Sequence, residues 1–91
     1  MAITVKQARA YGYDNGYDAV EADLPSLRKM DHDEAAGEAF ENEQHSRQYA
    51  GFSAFASAVN RLPDSQLERV WDAYDDGVMR GIEAALKKHR I

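Results

Sequence analysis

The chain has 91 residues, of which 16 are acidic and 11 basic, and it contains no cysteine. This length predicts one domain over residues 1–91, and the missing thiols exclude disulfides and thiolate zinc sites. The net charge of −5 argues against direct binding to nucleic acid, because Lys and Arg supply most of the affinity for phosphate. No stretch approaches the roughly 20 apolar residues of a membrane helix. We therefore expect a soluble cytoplasmic protein with no membrane or nucleic-acid partner.

The first predicted helix covers residues 4–23. Thr4 and Gln7 have the spacing of a capping box, in which each side chain accepts a hydrogen bond from the other residue's backbone N–H. The residues that follow are mostly helix formers, and alternation typical of a strand is poor. Pro25 disfavours helical geometry at the preceding residue, so it predicts the end of this helix.

Two glycine pairs bear on whether residues 11–20 form a helix or a hairpin. The members of each pair are four residues apart, which places them on one helix face: Gly12 with Gly16, and Gly77 with Gly81. An interior glycine costs a helix about 1 kcal/mol relative to alanine, and close approach of two helix axes would offset that cost. We predict helices that pack through these glycines, against each other or against the middle helix. An Asn-Gly hairpin at residues 15–16 is the alternative, and a homodimer contact through the same glycines stays open.

The middle of the chain, residues 32–61, joins an acidic half to an apolar half. Phe52, Phe55 and Val59 recur at helical spacing, and the same face extended backwards reaches Glu41 and Glu38. A single straight helix would either bury these carboxylates or project them beyond the core, and burial of unpaired carboxylates is prohibitive. We therefore predict a kink or break between residues 44 and 48.

The last predicted helix, residues 65–89, has the clearest periodicity. Asp64 or Ser65 is expected to be its N-cap, and the basic residues 87–90 complement the negative end of the helix dipole. The sequence thus predicts an all-α protein, a compact bundle of three main helices with the middle one kinked or broken. The apolar positions that these helices are expected to bury are Val5, Val20, Phe52, Phe55, Val59, Leu62, Leu67, Val70, Trp71, Tyr74 and Ile82.

No motif indicates a metal site, a cofactor site or a catalytic centre. Residues 31–45 gather carboxylates and imidazoles, but the HExxH, EF-hand and paired Glu-x-x-His patterns are absent. There is no nucleophile elbow or Gly-rich phosphate loop, and a domain of this size leaves little room for a pocket of the usual volume. We expect no metal, no cofactor and no enzymatic activity.

Acidic residues dominate residues 14–43, where ten carboxylates accompany two basic side chains. Several lie three or four residues apart on one helix face, where like charges destabilise an isolated helix by a few tenths of a kcal/mol per pair. Because a small domain has little stability to spare, we expect that it retains these neighbouring carboxylates for binding to a partner. The alternative is that they form a solvent-exposed helix face without a binding role.

Three tyrosines on the first helix form a second group. Tyr11, Tyr13 and Tyr17 span more than half of the helix circumference, so at least one should be exposed. Exposed tyrosines beside carboxylates are typical of binding hot spots. The predicted partner-binding residues from the two groups are Tyr13, Asp14, Tyr17, Asp18, Asp31, Asp33, Glu34, Glu38, Glu41 and Glu43.

The chain resembles the small accessory proteins of phages and mobile elements, including anti-CRISPR proteins. The shared features are the short length, the acidic balance, the missing cysteines, and helical Tyr-x-x-Gly and Gly-x-x-x-Gly segments such as residues 13–16 and 77–81. This resemblance covers overall character, so no functional residue carries over. It implies a non-enzymatic inhibitor that binds a bacterial nucleic-acid-handling machine, in some cases by presenting carboxylates in place of phosphates.

Together, these patterns predict an inhibitor whose acidic surface binds a basic bacterial protein, such as a nucleic-acid-binding complex, in the cytoplasm of the host. The chain also has eleven basic residues, which distinguishes it from a protein that mimics nucleic acid by negative charge alone. The alternative function is that of a self-associating structural or assembly protein.

Overall fold

The computed structural model describes residues 3–48 and 50–91. Within these residues the chain is helical and has no strand, which confirms the all-α prediction. The Asn-Gly hairpin is excluded because residues 15–16 lie inside the first helix. The described helices are α1 (Val5–Glu21), α2 (Leu24–Leu27), α3 (His32–Ser46), α4 (Ala50–Asn60) and α5 (Asp64–Lys88).

The prediction of three main helices is replaced by this arrangement of five in the described part of the chain. The middle segment is two separate helices, because α3 ends at Ser46 and α4 begins at Ala50, so the predicted break is confirmed. Helix α1 ends at Glu21, close to the predicted end at residue 23, but Pro25 does not keep Leu24 out of helical geometry: Leu24 begins the short helix α2, and the missing N–H of Pro25 is tolerated in the first turn of that helix. The predicted N-cap of α5 is wrong: Pro63 occupies that position and makes no side-chain cap.

The capping box of α1 forms as predicted. The backbone N–H of Thr4 donates to the side chain of Gln7 at 3.0 Å, and the backbone N–H of Gln7 donates to the Thr4 hydroxyl at 3.1 Å. These two bonds satisfy backbone donors that have no partner inside the helix. The start of α1 is therefore fixed by its own sequence.

Helices α1 and α5 are the central pair of the fold, and they pack in parallel through the four predicted glycines. A Cβ atom on Gly12 would collide with the carbonyl oxygen of Tyr74, and one on Gly16 with that of Val78. The contact is reciprocal, since a Cβ on Gly77 would collide with the carbonyl oxygen of Arg9. All four glycines are buried in this intramolecular contact, so they are not available for the homodimer contact.

The core runs along α1 and α5 and is built largely from small side chains. Of the predicted core residues, six are only half-buried because they surround this contact instead of filling it: Val5, Phe52, Phe55, Leu62, Leu67 and Trp71. The fully buried apolar residues are Ala8, Val20, Leu27, Ala35, Ala39, Val59, Val70, Ala73, Tyr74, Val78, Ile82, Ala85 and Leu86.

An aromatic cluster covers one end of this core. The ring centroid of Phe55 lies 4.7 Å from that of Tyr11 and 5.3 Å from that of Tyr74, and Trp71 meets Phe55 edge-on at 5.8 Å. These separations lie in the favourable range for aromatic pairs. The cluster attaches α4 to α1 and α5.

Candidate partner-binding surface

An open cleft of about 690 Å³ lies between α1, α2 and α3. Its volume falls inside the usual range of ligand pockets, about 300–1,000 Å³, so the expectation that the domain has little room for a pocket is wrong. Three carboxylates line it, from Asp18 on α1, Asp23 before α2, and Glu38 on α3. The remaining lining side chains are neutral: Asn15, Ala19, Ala22, Ser26, Met30, Asn42 and Ser46.

The carboxylates of α3 continue this surface along the outside of the helix. Glu34 and Glu41 are exposed and share a helix face with half-exposed Glu38, as their spacing predicted. We refer to Asp18, Asp23, Glu34, Glu38 and Glu41 together as the acidic face. Asp18, Asp23 and Glu38 of this face meet at the cleft although they are distant in sequence, and Glu34 and Glu41 lie next to Glu38 along α3.

Asp31 adjoins the acidic face as the N-cap of α3. Its Oδ1 accepts a hydrogen bond from the backbone N–H of Glu34 at 2.9 Å, and this bond lowers the pKa of Asp31. A side-chain hydrogen bond to Asp31, together with the charge of that carboxylate, raises the pKa of Glu34. Asp31 thus stabilises the start of α3, and its carboxylate is engaged in this capping hydrogen bond.

Glu43 does not belong to the binding surface, which corrects the prediction made for it. Its side chain is fully buried, and its carboxylate accepts hydrogen bonds from the hydroxyl of Tyr74 at 2.5 Å and from Nε of Arg47 at 2.8 Å. Arg47 also donates to Asp75 at 3.0 Å, and its guanidinium carbon lies 5.0 Å from the ring centroid of Tyr74. Burial of this carboxylate is tolerated because it is paired and hydrogen-bonded.

This buried network lies behind the cleft and fixes its walls. The Asn15 side chain donates to the hydroxyl of Tyr74 at 3.1 Å, and the Ser46 hydroxyl donates to the backbone oxygen of Glu43 at 2.7 Å. Burial, together with the bond to Glu43, raises the pKa of Tyr74, so its hydroxyl stays a donor. Burial works against the charge of Arg47, but the hydrogen bonds to Glu43 and Asp75 raise its pKa on balance.

The predicted tyrosine group lies on a different surface from the cleft. Tyr13 is 38% exposed, which confirms that at least one tyrosine of α1 is exposed. Tyr13 and Asp14 line a shallow depression together with Lys6, Arg9 and Arg80, so this region is not purely acidic. The Tyr17 ring lies 6.3 Å from that of Tyr13 and 5.4 Å from the ammonium nitrogen of Lys88.

Asp33 is likewise separated from the acidic face. It lies on the other side of α3, beside Phe40, Met79 and Glu83. The ten predicted residues therefore divide among three surfaces and one buried position. Asp23 is not among the ten predicted residues, although it lines the cleft and its carboxylate accepts a hydrogen bond from Asn42 at 3.1 Å. No spacing pattern in the sequence links Asp23 with Asn42.

The arrangement of carboxylates around the cleft is suited to holding positive charge. Its carboxylates surround a concave surface that also has apolar side chains, and the cleft lining identified in the structure contains no basic residue. Among the described residues, no group of His, Asp and Glu could hold a metal ion, and no helix has the length and apolar character needed to cross a membrane. No protein-family model, curated protein or solved structure matches the chain.

Proposed function

We propose that this protein is a non-enzymatic binding module whose acidic face binds a basic partner protein. The observation that carries the proposal is that Asp18, Asp23 and Glu38, which come from three separate parts of the chain, line one cleft. Among the described residues that line this cleft, none is basic. Complementary charge of this kind accelerates association and selects against partners of the wrong sign.

A nucleic-acid-handling protein is the class of partner that best suits this surface. Such proteins present Lys and Arg to phosphates, and a row of carboxylates competes for the same side chains. Glu34, Glu38 and Glu41 supply this row along α3, with neighbouring side chains roughly 5–6 Å apart. The protein would then act as an inhibitor that blocks access of the nucleic acid, in the manner implied by the resemblance to anti-CRISPR proteins.

Affinity capture from a bacterial lysate tests this proposal. We expect the immobilised protein to retain a basic nucleic-acid-binding protein, and we expect their affinity to fall as salt is raised, because salt screens exposed charges over about 8–10 Å. The measurement is the dissociation constant at several salt concentrations, with and without competing DNA or RNA. The proposal would be contradicted by a retained partner whose dissociation constant changes neither with salt concentration nor on addition of DNA or RNA.

Self-assembly is the alternative function, and the glycine pairs no longer support it. All four glycines lie in the contact between α1 and α5, where the backbones of the two helices are in direct contact. Sedimentation across micromolar concentrations separates the two functions, because an assembly protein associates without a partner. We expect a single monomeric species.

A further inference from the structure

His32, the first residue of α3, makes two contacts that only its charged form can satisfy together. Its Nδ1 lies 2.9 Å from the backbone oxygen of Ile91, and its Nε2 lies 2.8 Å from Oε2 of Glu83. Both oxygens are hydrogen-bond acceptors. A neutral imidazole has one N–H and can donate to one of them, whereas the imidazolium donates to both.

The charged groups around His32 favour the same protonation state. Asp31 and Asp33 flank it on α3, and Glu83 faces it from α5. The positive end of the α3 helix dipole acts in the opposite direction, and Asp31 caps that end. Hydrogen bonds to Ile91 and then to Glu83 raise the pKa of His32 above its ordinary value.

The segment that His32 holds is a strained turn. After α5, Arg90 has φ = 57°, a left-handed conformation that is strained for a residue other than glycine. The turn closes by a hydrogen bond from the Ile91 N–H to the Leu86 oxygen at 2.9 Å, and Ile91 packs against the core. A contact that fixes Ile91 therefore helps to maintain this conformation.

We propose that His32 is a proton-controlled latch that ties the start of α3 to α5 and to the turn at residues 89–91. In its protonated state the imidazolium bridges Glu83 and Ile91, and loss of the proton breaks one of the two bonds. Because the folded state binds this proton more tightly than the unfolded chain, the latch is fully effective below pH about 6.5. Its contribution to stability is lost as pH rises through the higher pKa of the folded state. The latch is independent of whether the acidic face binds a partner.

Nuclear magnetic resonance of the ¹⁵N-labelled histidines, followed against pH, tests the latch. We expect both ring nitrogens of His32 to carry protons at the acidic end of the titration, with a midpoint above about 6.5. The backbone amide of Ile91 should follow the same curve. Glu83→Gln should shift the midpoint downwards, whereas Glu68→Gln, which removes an exposed carboxylate elsewhere on α5, should leave it unchanged.

A second variant checks that the proton acts through the contact itself. His32→Gln keeps a side-chain donor but cannot be protonated, so the chemical shift of the Ile91 amide should become insensitive to pH across the range where wild type responds. The latch is overturned if His32 titrates near its ordinary value regardless of Glu83→Gln. It is equally overturned if the Ile91 amide responds to pH identically in wild type and His32→Gln.

Discussion

Gly77→Ala is expected to destabilise the protein by about 2–3 kcal/mol, although alanine is the better helix former. The added methyl group would meet the backbone of α1 at Arg9 and Tyr13, and backbone atoms cannot move aside as a flexible side chain can. The parallel helices α1 and α5 must then separate, which loosens the other glycine contacts along the pair. A domain of this size has only about 5–15 kcal/mol of stability in total.

Gly37→Ala is the matched control, because Gly37 is also interior to a helix but has nothing within 4 Å of an added Cβ atom. It should stabilise the protein by about 0.4–1 kcal/mol through helix propensity and chain entropy. Urea denaturation of both variants measures the two effects. If Gly77→Ala proves as stable as Gly37→Ala, the close approach of α1 and α5 is wrong.

Arg47→Ala is expected to cost about 3–5 kcal/mol, the range found when one member of a buried ion pair is removed. The carboxylate of Glu43 has no exposed surface and would lose the two-pronged contact with the guanidinium, at 2.8 Å to Oε1 and 2.9 Å to Oε2. The contacts of the guanidinium with the rings of Phe52 and Tyr74 would be lost as well.

Arg80→Ala provides the comparison, since Arg80 makes the same i,i+4 type of pair with Asp76 at 2.7 Å but is 66% exposed. Exposed pairs are worth about 0–1 kcal/mol, so this variant should unfold almost as wild type does. Adding Glu43→Gln to Arg47→Ala should restore part of the lost stability by removing the uncompensated charge. Equal losses in the two arginine variants would show that the Glu43 network does not hold the fold together.

The fold was predictable where local chemistry determines it. Thr4 and Gln7 fixed the start of α1, and the glycine spacing indicated a helix–helix contact that the structure places between α1 and α5. Burial depth was less predictable, because periodicity identifies the inner face of a helix but not which helix pair lies at the centre. The glycine contact brings the backbones of α1 and α5 together, so small side chains occupy the centre and residues such as Phe52 surround it.

The candidate site shows the same division between local and tertiary information. The spacing of Glu34, Glu38 and Glu41 correctly predicted a shared face on α3. The burial of Glu43 was missed, although the arginine four residues later was a usable signal for pairing. The cleft that joins Glu38 to Asp18 depends on how three helices meet, and single-helix patterns carry no information about that.

The most direct test of the acidic face compares two variants that lose the same charge in different places. Asp18→Asn/Glu38→Gln neutralises two carboxylates of the cleft, and Asp72→Asn/Glu68→Gln neutralises two exposed carboxylates on the first half of α5. The measurement is the dissociation constant of each variant for the captured basic partner at one low salt concentration. We predict that the cleft variant binds at least about tenfold more weakly, equivalent to 1.4 kcal/mol, and that the α5 variant binds as wild type does. Equal affinities for the two variants, with both folded, would contradict the placement of the binding site on the acidic face.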